Sequence, residues 1–167
     1  MNSIDLSLIS EDAKALAMML DGMLERVENV YNSYSMPLPL RRYWTLGTPA
    51  VDCEQLVISF IQMYIGSPGD EANLPTRCRD PRSATMQIQV SREVPTVSSS
   101  GRPPTGEDIQ KFSTLQAYDS WVLLQSAAEL DQWDQTGLGL GVIATVEVSE
   151  PAGGYQTTVL TLTAAVP

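Results

Sequence analysis

The sequence predicts a single-domain, two-layer α+β protein: an antiparallel β-sheet with about three helices packed on one face. Three observations carry that expectation. Apolar residues recur at helical spacing in three separate stretches. They alternate with polar residues after residue 84 and again after residue 138. No internal repeat, low-complexity tract or composition shift divides the chain, so residues 1–167 read as one domain. A chain of this length can withdraw roughly 70% of its unfolded surface into one core.

The first helix opens at Ser10, an N-cap followed by Glu11 and Asp12 at the positive end of the helix dipole. Leu16, Leu20, Met23, Leu24, Val27, Val30 and Tyr31 then mark one apolar stripe, and Pro37 and Pro39 end it. Residues 40–46, with Tyr43, Trp44 and Thr45, read as a short strand. Thr48-Pro49 suggests the start of a second helix, with Cys53, Leu56, Val57, Phe60, Ile61 and Tyr64 on its stripe and Gly66 and Pro68 as its stop. Residues 66–83 form a long loop rich in Pro, Gly, Asp and Arg, the kind that more often serves a function than merely connects.

Strict alternation follows. Ala84, Met86, Ile88, Val90, Arg92 and Val94 share one side of a strand; Thr85, Gln87, Gln89, Ser91 and Glu93 share the other. Pro95 ends it, and residues 98–104 are a second loop. Thr105 with Asp108 is a capping pair for a third helix, whose stripe includes Ile109, Phe112, Leu115, Val122 and Leu123. Alternation over 138–148 and 159–166, across the turn Pro151-Ala152-Gly153-Gly154, describes an antiparallel hairpin. One face of the sheet is then left with Thr, Gln and Ser, to meet water, a neighbouring copy or a lumen.

Composition narrows the chemistry. Net charge is −10, with 20 acidic and 10 basic residues. It is spread unevenly: residues 1–40 and 103–167 are acidic, and residues 41–102 carry seven of the bases. No basic nucleic-acid footprint is present; the acidic charge reads most simply as keeping a small protein soluble, and alternatively as a surface past which DNA slides without sticking. The chain has no histidine, which removes the usual general base and the common Ser-His and Cys-His pairs. No stretch approaches the ~20 apolar residues of a membrane span, and residues 1–10 do not read as a secretory signal. No phosphate-binding loop or nucleophile elbow appears, so neither an enzyme nor a cofactor is expected.

Four groups of residues remain as candidates. Asp119 lies on the apolar stripe of the third helix and reads either as an acid with a raised pKa or, more simply, as a structural carboxylate held by an Arg or a backbone amide. Cys53 and Cys78 could close a disulfide across their 25-residue spacing, though two free thiols from a reducing cytosol are the plainer reading. Glu129, Asp131 and Asp134 crowd the unfavourable negative end of the third helix, while Arg77, Arg79 and Arg82 sit in the long loop. The expectation is that the acidic end of one copy meets the Arg loop of the next, against the alternative of two independently solvated surfaces. Trp121 and Trp133 do not fit one stripe and read as interface anchors or core.

Several runs carry a resemblance: Gly47-Thr48-Pro49-Ala50-Val51-Asp52-Cys53-Glu54-Gln55-Leu56, Thr76-Arg77-Cys78, Pro81-Arg82, Arg92-Glu93-Val94-Pro95 and Asp119-Ser120-Trp121. They resemble segments of neck proteins from siphophages of actinobacteria, and the order of elements is similar to tail terminator proteins. The resemblance spans nearly the whole chain. It implies a virion subunit assembled in the host cytoplasm, forming a hexameric homo-oligomeric ring. Such a ring caps the tail tube protein, docks the head–tail stopper or connector, and lets DNA pass through its lumen. A stopper or tube subunit is a neighbouring reading; a small ligand-binding or enzymatic α+β domain is the reading from another class, and it would need a concave apolar pocket.

Overall fold

A computed structural model describes residues 11–67, 82–131 and 143–166. The long loop expected over 66–83 and the first part of the strand expected from 138 lie largely outside these residues.

Helix α1 spans Glu11–Ser33 and turns Leu20, Met23, Val27, Val30 and Tyr31 inward. It closes with a Schellman turn. Ser35 takes a positive φ of 53°, its N–H donates to Asn32 O, and Met36 N–H reaches back to Tyr31 O. Serine at this left-handed position, where glycine is usual, lets Met36 fold back against the core. Strand β1 is Arg41–Leu46, β2 is Gln55–Ile65 and β3 is Arg82–Glu93. Helix α2 runs Gly106–Asp131, followed by β4, Ile143–Val148, and β5, Tyr155–Val166.

The strands form one five-stranded sheet in the order β1-β2-β3-β5-β4. It corrects the sequence expectation twice. The sheet is mixed, because β1 and β2 are parallel while every other pair is antiparallel. The described helices number two, because the second expected helix is β2.

The reason lies in the sequence of β2. Gln55 to Ile65 is rich in β-branched and aromatic residues, Val57, Ile58, Phe60, Ile61, Tyr64 and Ile65, which favour a strand. Its register shifts between Phe60 and Gln62, a β-bulge. Leu56, Ile58 and Phe60 face the core opposite Val90, Ile88 and Met86; past the bulge it is Met63, half exposed, that stands opposite Ala84. One extra residue within an alternating pattern yields spacings of three and four, which imitate a helix.

Both helices lie on one side of the sheet. Leu56, Ile58, Met86, Ile88, Leu160 and Leu162 form a single core with α1 and with Val122, Leu123, Ala127 and Leu130 of α2. The other face carries Gln55, Ser59, Thr85, Gln87, Gln89, Ser91, Thr157, Thr161 and Thr163. These residues bond across strands, Thr85 with Thr163, Gln87 with Thr161 and Ser91 with Thr157. Among the described residues, only the short crossover of residues 47–54 lies on that side. It sits at the β1–β2 end, where Gln55 Nε2 donates to Ala50 O and Arg41 pairs with Asp52.

Candidate interaction surfaces

Asp119 sits at the centre of a buried polar cluster rather than in a cleft. Its side chain is 0% exposed. Oδ2 accepts from Arg92 Nε at 3.0 Å, while Oδ1 accepts from Arg92 Nη2 at 3.0 Å and from the Tyr31 hydroxyl at 2.9 Å. Arg92 Nη2 also donates to Pro37 O. The bidentate fork therefore fastens α1, the segment after it, β3 and α2 at one point. Burial is the largest single influence on the Arg92 guanidinium and lowers its pKa. The hydrogen bond and charge of Asp119 lead the effects that outweigh it, leaving the pKa raised. Burial first, then the charge and hydrogen bond of Asp119, raise the Tyr31 phenol pKa well above its ordinary value, so Tyr31 stays a donor. This is the structural carboxylate that the sequence allowed, held by an Arg. The signal for its partner was present: Arg92 is the charged residue on the apolar side of an alternating strand, and Asp119 the charged residue on an apolar helix stripe.

The other candidates are placed as follows. Cys53 is a half-buried free thiol whose Sγ lies 3.4 Å from Arg41 Nη1, and Cys78 lies outside the described residues. Glu129 lines an open polar groove of ≈ 440 Å³ between α1 and α2, together with Glu25, Arg26, Asn29 and Ser33. Asp131 is the last residue of α2 and Arg82 the first of β3; their side chains, like Arg77, Arg79, Asp134 and Trp133 as a whole, lie outside the described residues. Trp121 is an exposed aromatic, its ring edge-on to Tyr34 at 4.5 Å. With exposed Tyr118 and Leu124 it gives α2 a second apolar stripe, opposite the one that faces the core.

A second groove, ≈ 420 Å³, lies beside the loop before α2 and is lined by Pro95, Ser98, Arg102, Pro104, Asp108 and Lys111 among others. Both grooves are open and bordered by charged side chains, unlike the concave apolar pocket of a small-molecule site. Among the described residues no group of three or more acids and cysteines is placed to hold a metal, and no helix is long and apolar enough to cross a membrane.

The two sheet edges are surfaces that sequence reasoning did not single out. β1 and β4 are both six residues long and largely exposed, and each has its outer side open among the described backbone bonds. Leu40, just before β1, is 97% exposed, and Val148, at the end of β4, is 46% exposed. Which strands would lie at the edges cannot be read from periodicity, since alternation gives the face of a residue but not the order of strands.

No protein-family model matches the chain, and no curated protein matches it.

Proposed function

We propose that this chain is a structural subunit of a tailed-phage neck, forming a ring that ends the tail tube and joins it to the head connector while DNA passes through. The observation that carries the reading is the side of the sheet away from the helices, which no described helix covers. Among the described residues, over β3, β5 and β4 it carries mostly hydroxyls and amides around Val159 and Ile143, with Glu93 and Glu147 as its charges. Arg41, at the far end of the same side, is already paired with Asp52 at 2.6 Å. Among the described residues this side holds no unpaired cation and so offers phosphates little counter-charge, which lets DNA move across it without being held. The overall charge of −10 acts in the same direction.

The second support is division of labour. One side of the sheet and the Arg92–Asp119 fork account for the fold, and the polar side, the apolar stripe of α2 and both edges are left over for contacts. A ring of identical subunits uses such surfaces heterologously, each copy presenting one patch to the copy before it and another to the copy after. The role proposed is binding rather than bond-making, since the buried acid at Asp119 is already engaged by Arg92 and Tyr31.

The test is the mass and shape of the purified chain. Light scattering coupled to size exclusion, with negative-stain images, is expected to give rings of about six copies with a central opening. A chain that remains monomeric at every concentration, alone and with tube and connector proteins, would refute the proposal.

A further inference from the structure

We infer that copies of this chain join sheet edge to sheet edge: β4 of one copy pairs antiparallel with β1 of the next, Glu147 opposite Arg41 and Val148 opposite Leu40. The inference rests on the ring reading above and names the surface that would close the ring.

Direction comes first. β1 runs parallel to β2; β3 runs against β2, β5 against β3 and β4 against β5. β4 therefore runs opposite to β1, and extending the sheet from β4 of one copy to β1 of another gives an antiparallel pair without turning either sheet over.

Backbone polarity comes second. Gly47 N–H, one residue past β1, donates inward to Phe60 O, and Ser149 N–H, one residue past β4, donates inward to Thr157 O. Alternation along each strand then sends the N–H and C=O of Arg42, Trp44 and Leu46, and of Ala144, Val146 and Val148, outward. In the stated register Val148 meets Leu40, Val146 meets Arg42 and Ala144 meets Trp44. Each is an outward-pointing residue opposite another, as an antiparallel ladder requires.

Side-chain faces come third. Arg42 and Trp44 reach α1 through Glu28 and Asp21, so the even-numbered residues of β1 lie on the helix side and Arg41, Tyr43 and Thr45 on the polar side. In β4, Val146 packs on the helix-side core, which puts Glu147 and Thr145 on the polar side. The register therefore matches face with face: Glu147 with Arg41, Thr145 with Tyr43, Ile143 with Thr45. A slip by one residue breaks both this match and the ladder.

Charge selects the partner edge. β1 carries two arginines and β4 one glutamate. A second β1 offers these arginines no carboxylate within its strand and a second β4 offers Glu147 no cation; only the unlike pairing unites opposite charges. Arg41 is half exposed even while bonded to Asp52, so its guanidinium retains donors for a second carboxylate. The register also covers Leu40, the most exposed large apolar residue described, with Val148. Unlike edges joined head to tail form a heterologous contact, the kind that closes into rings.

The experiment uses the full chain. Glu147→Arg and Arg41→Glu, each alone, are expected to weaken assembly about tenfold or more in light scattering, and the double exchange to recover it. Circular dichroism checks that each variant is folded. Independently, Tyr43→Cys with Thr145→Cys, in a Cys53→Ser and Cys78→Ser background, is expected to give a ladder of disulfide-linked oligomers on oxidation, with none from either single cysteine. Rings that form normally in both charge variants and yield no ladder would overturn edge pairing and leave the ring standing. An unaltered chain that never assembles would remove the ring reading itself.

Discussion

The two sides of the sheet are made from the same strands, often from adjacent residues, yet they have opposite characters. Ile88 is fully buried beneath the helices; Gln87, its neighbour, lies on the polar side and donates to Thr161. On the helix side the buried charge is matched, Arg92 to Asp119 with Tyr31 as a further donor, although Thr158 Oγ1 has no hydrogen-bond partner. On the polar side Val57, Ser59 and Ser91 are buried as well, and Ser59 Oγ has no hydrogen-bond partner. The difference teaches where stability resides. One side is committed to folding, and the other is free to be chosen for what passes over it.

The strongest way to break that division is to leave a charge stranded on the helix side. Arg92→Met should cost about 3–5 kcal/mol, because the Asp119 carboxylate would remain buried without its fork. Urea unfolding followed by tryptophan fluorescence measures it. Arg92→Met combined with Asp119→Leu should recover much of the loss, since the stranded charge is then gone. A single Arg92→Met change that costs under 1 kcal/mol would mean the fork is not a fastening point.

Adjacent positions sharpen the contrast. Ile88→Ala removes buried apolar volume and is expected to cost about 2–5 kcal/mol. Gln87→Ala, one residue away, is expected to cost less, about 0.5–1.5 kcal/mol, because it takes away a long bond to Thr161 and the acceptor of the Gln89 amide at a partly exposed position. Similar losses at both positions would show that the polar side is also packed in the isolated chain.

Much of this architecture was legible, and the parts that were not share a physical cause. The alternation of Ala84 to Arg92 and the stripe of α1 are long patterns with one face buried, and both elements came out as read. The capping pair Thr105–Asp108 and the glycine turn before Tyr155 marked α2 and the hairpin. β2 reads as a helix because Val57 breaks the polar character of its second side and a bulge at Ile61 resets its phase. The parallel β1–β2 pair was missed with it, since a helix had been placed where the chain makes a short crossover. At the fork both halves were visible as charges out of place, but pairing Arg92 with Asp119 needs the sheet and helix to be stacked. The edges were beyond reach, because Arg41 and Glu147 acquire meaning only once β1 and β4 are known to be outermost.

A smaller effect than at Arg92 or Ile88 lies at the rim of the helix layer and touches neither side of the sheet. Thr105 N–H and Oγ1 both donate to Asp108 Oδ2, at 2.9 and 2.7 Å, and Asp108 N–H donates back to Thr105 Oγ1 at 3.2 Å. Removing the cap with Thr105→Ala should cost about 1 kcal/mol. The side-chain bond from Thr105 is the main cause, followed by its backbone bond, of an Asp108 pKa below its ordinary value of 3.8. A carboxyl with a depressed folded pKa stabilises fully above its unfolded value and loses that contribution as pH falls through the folded one. Asp108→Asn should therefore melt below the unaltered chain at neutral pH, and the two melting temperatures should converge as pH drops beneath the ordinary carboxylate range. The bonds at Arg92 and the packing at Ile88 give the chain its tolerance for losing this one cap. A gap that stays constant down to the most acidic folded condition would mean that the helix start owes nothing to the charge of Asp108.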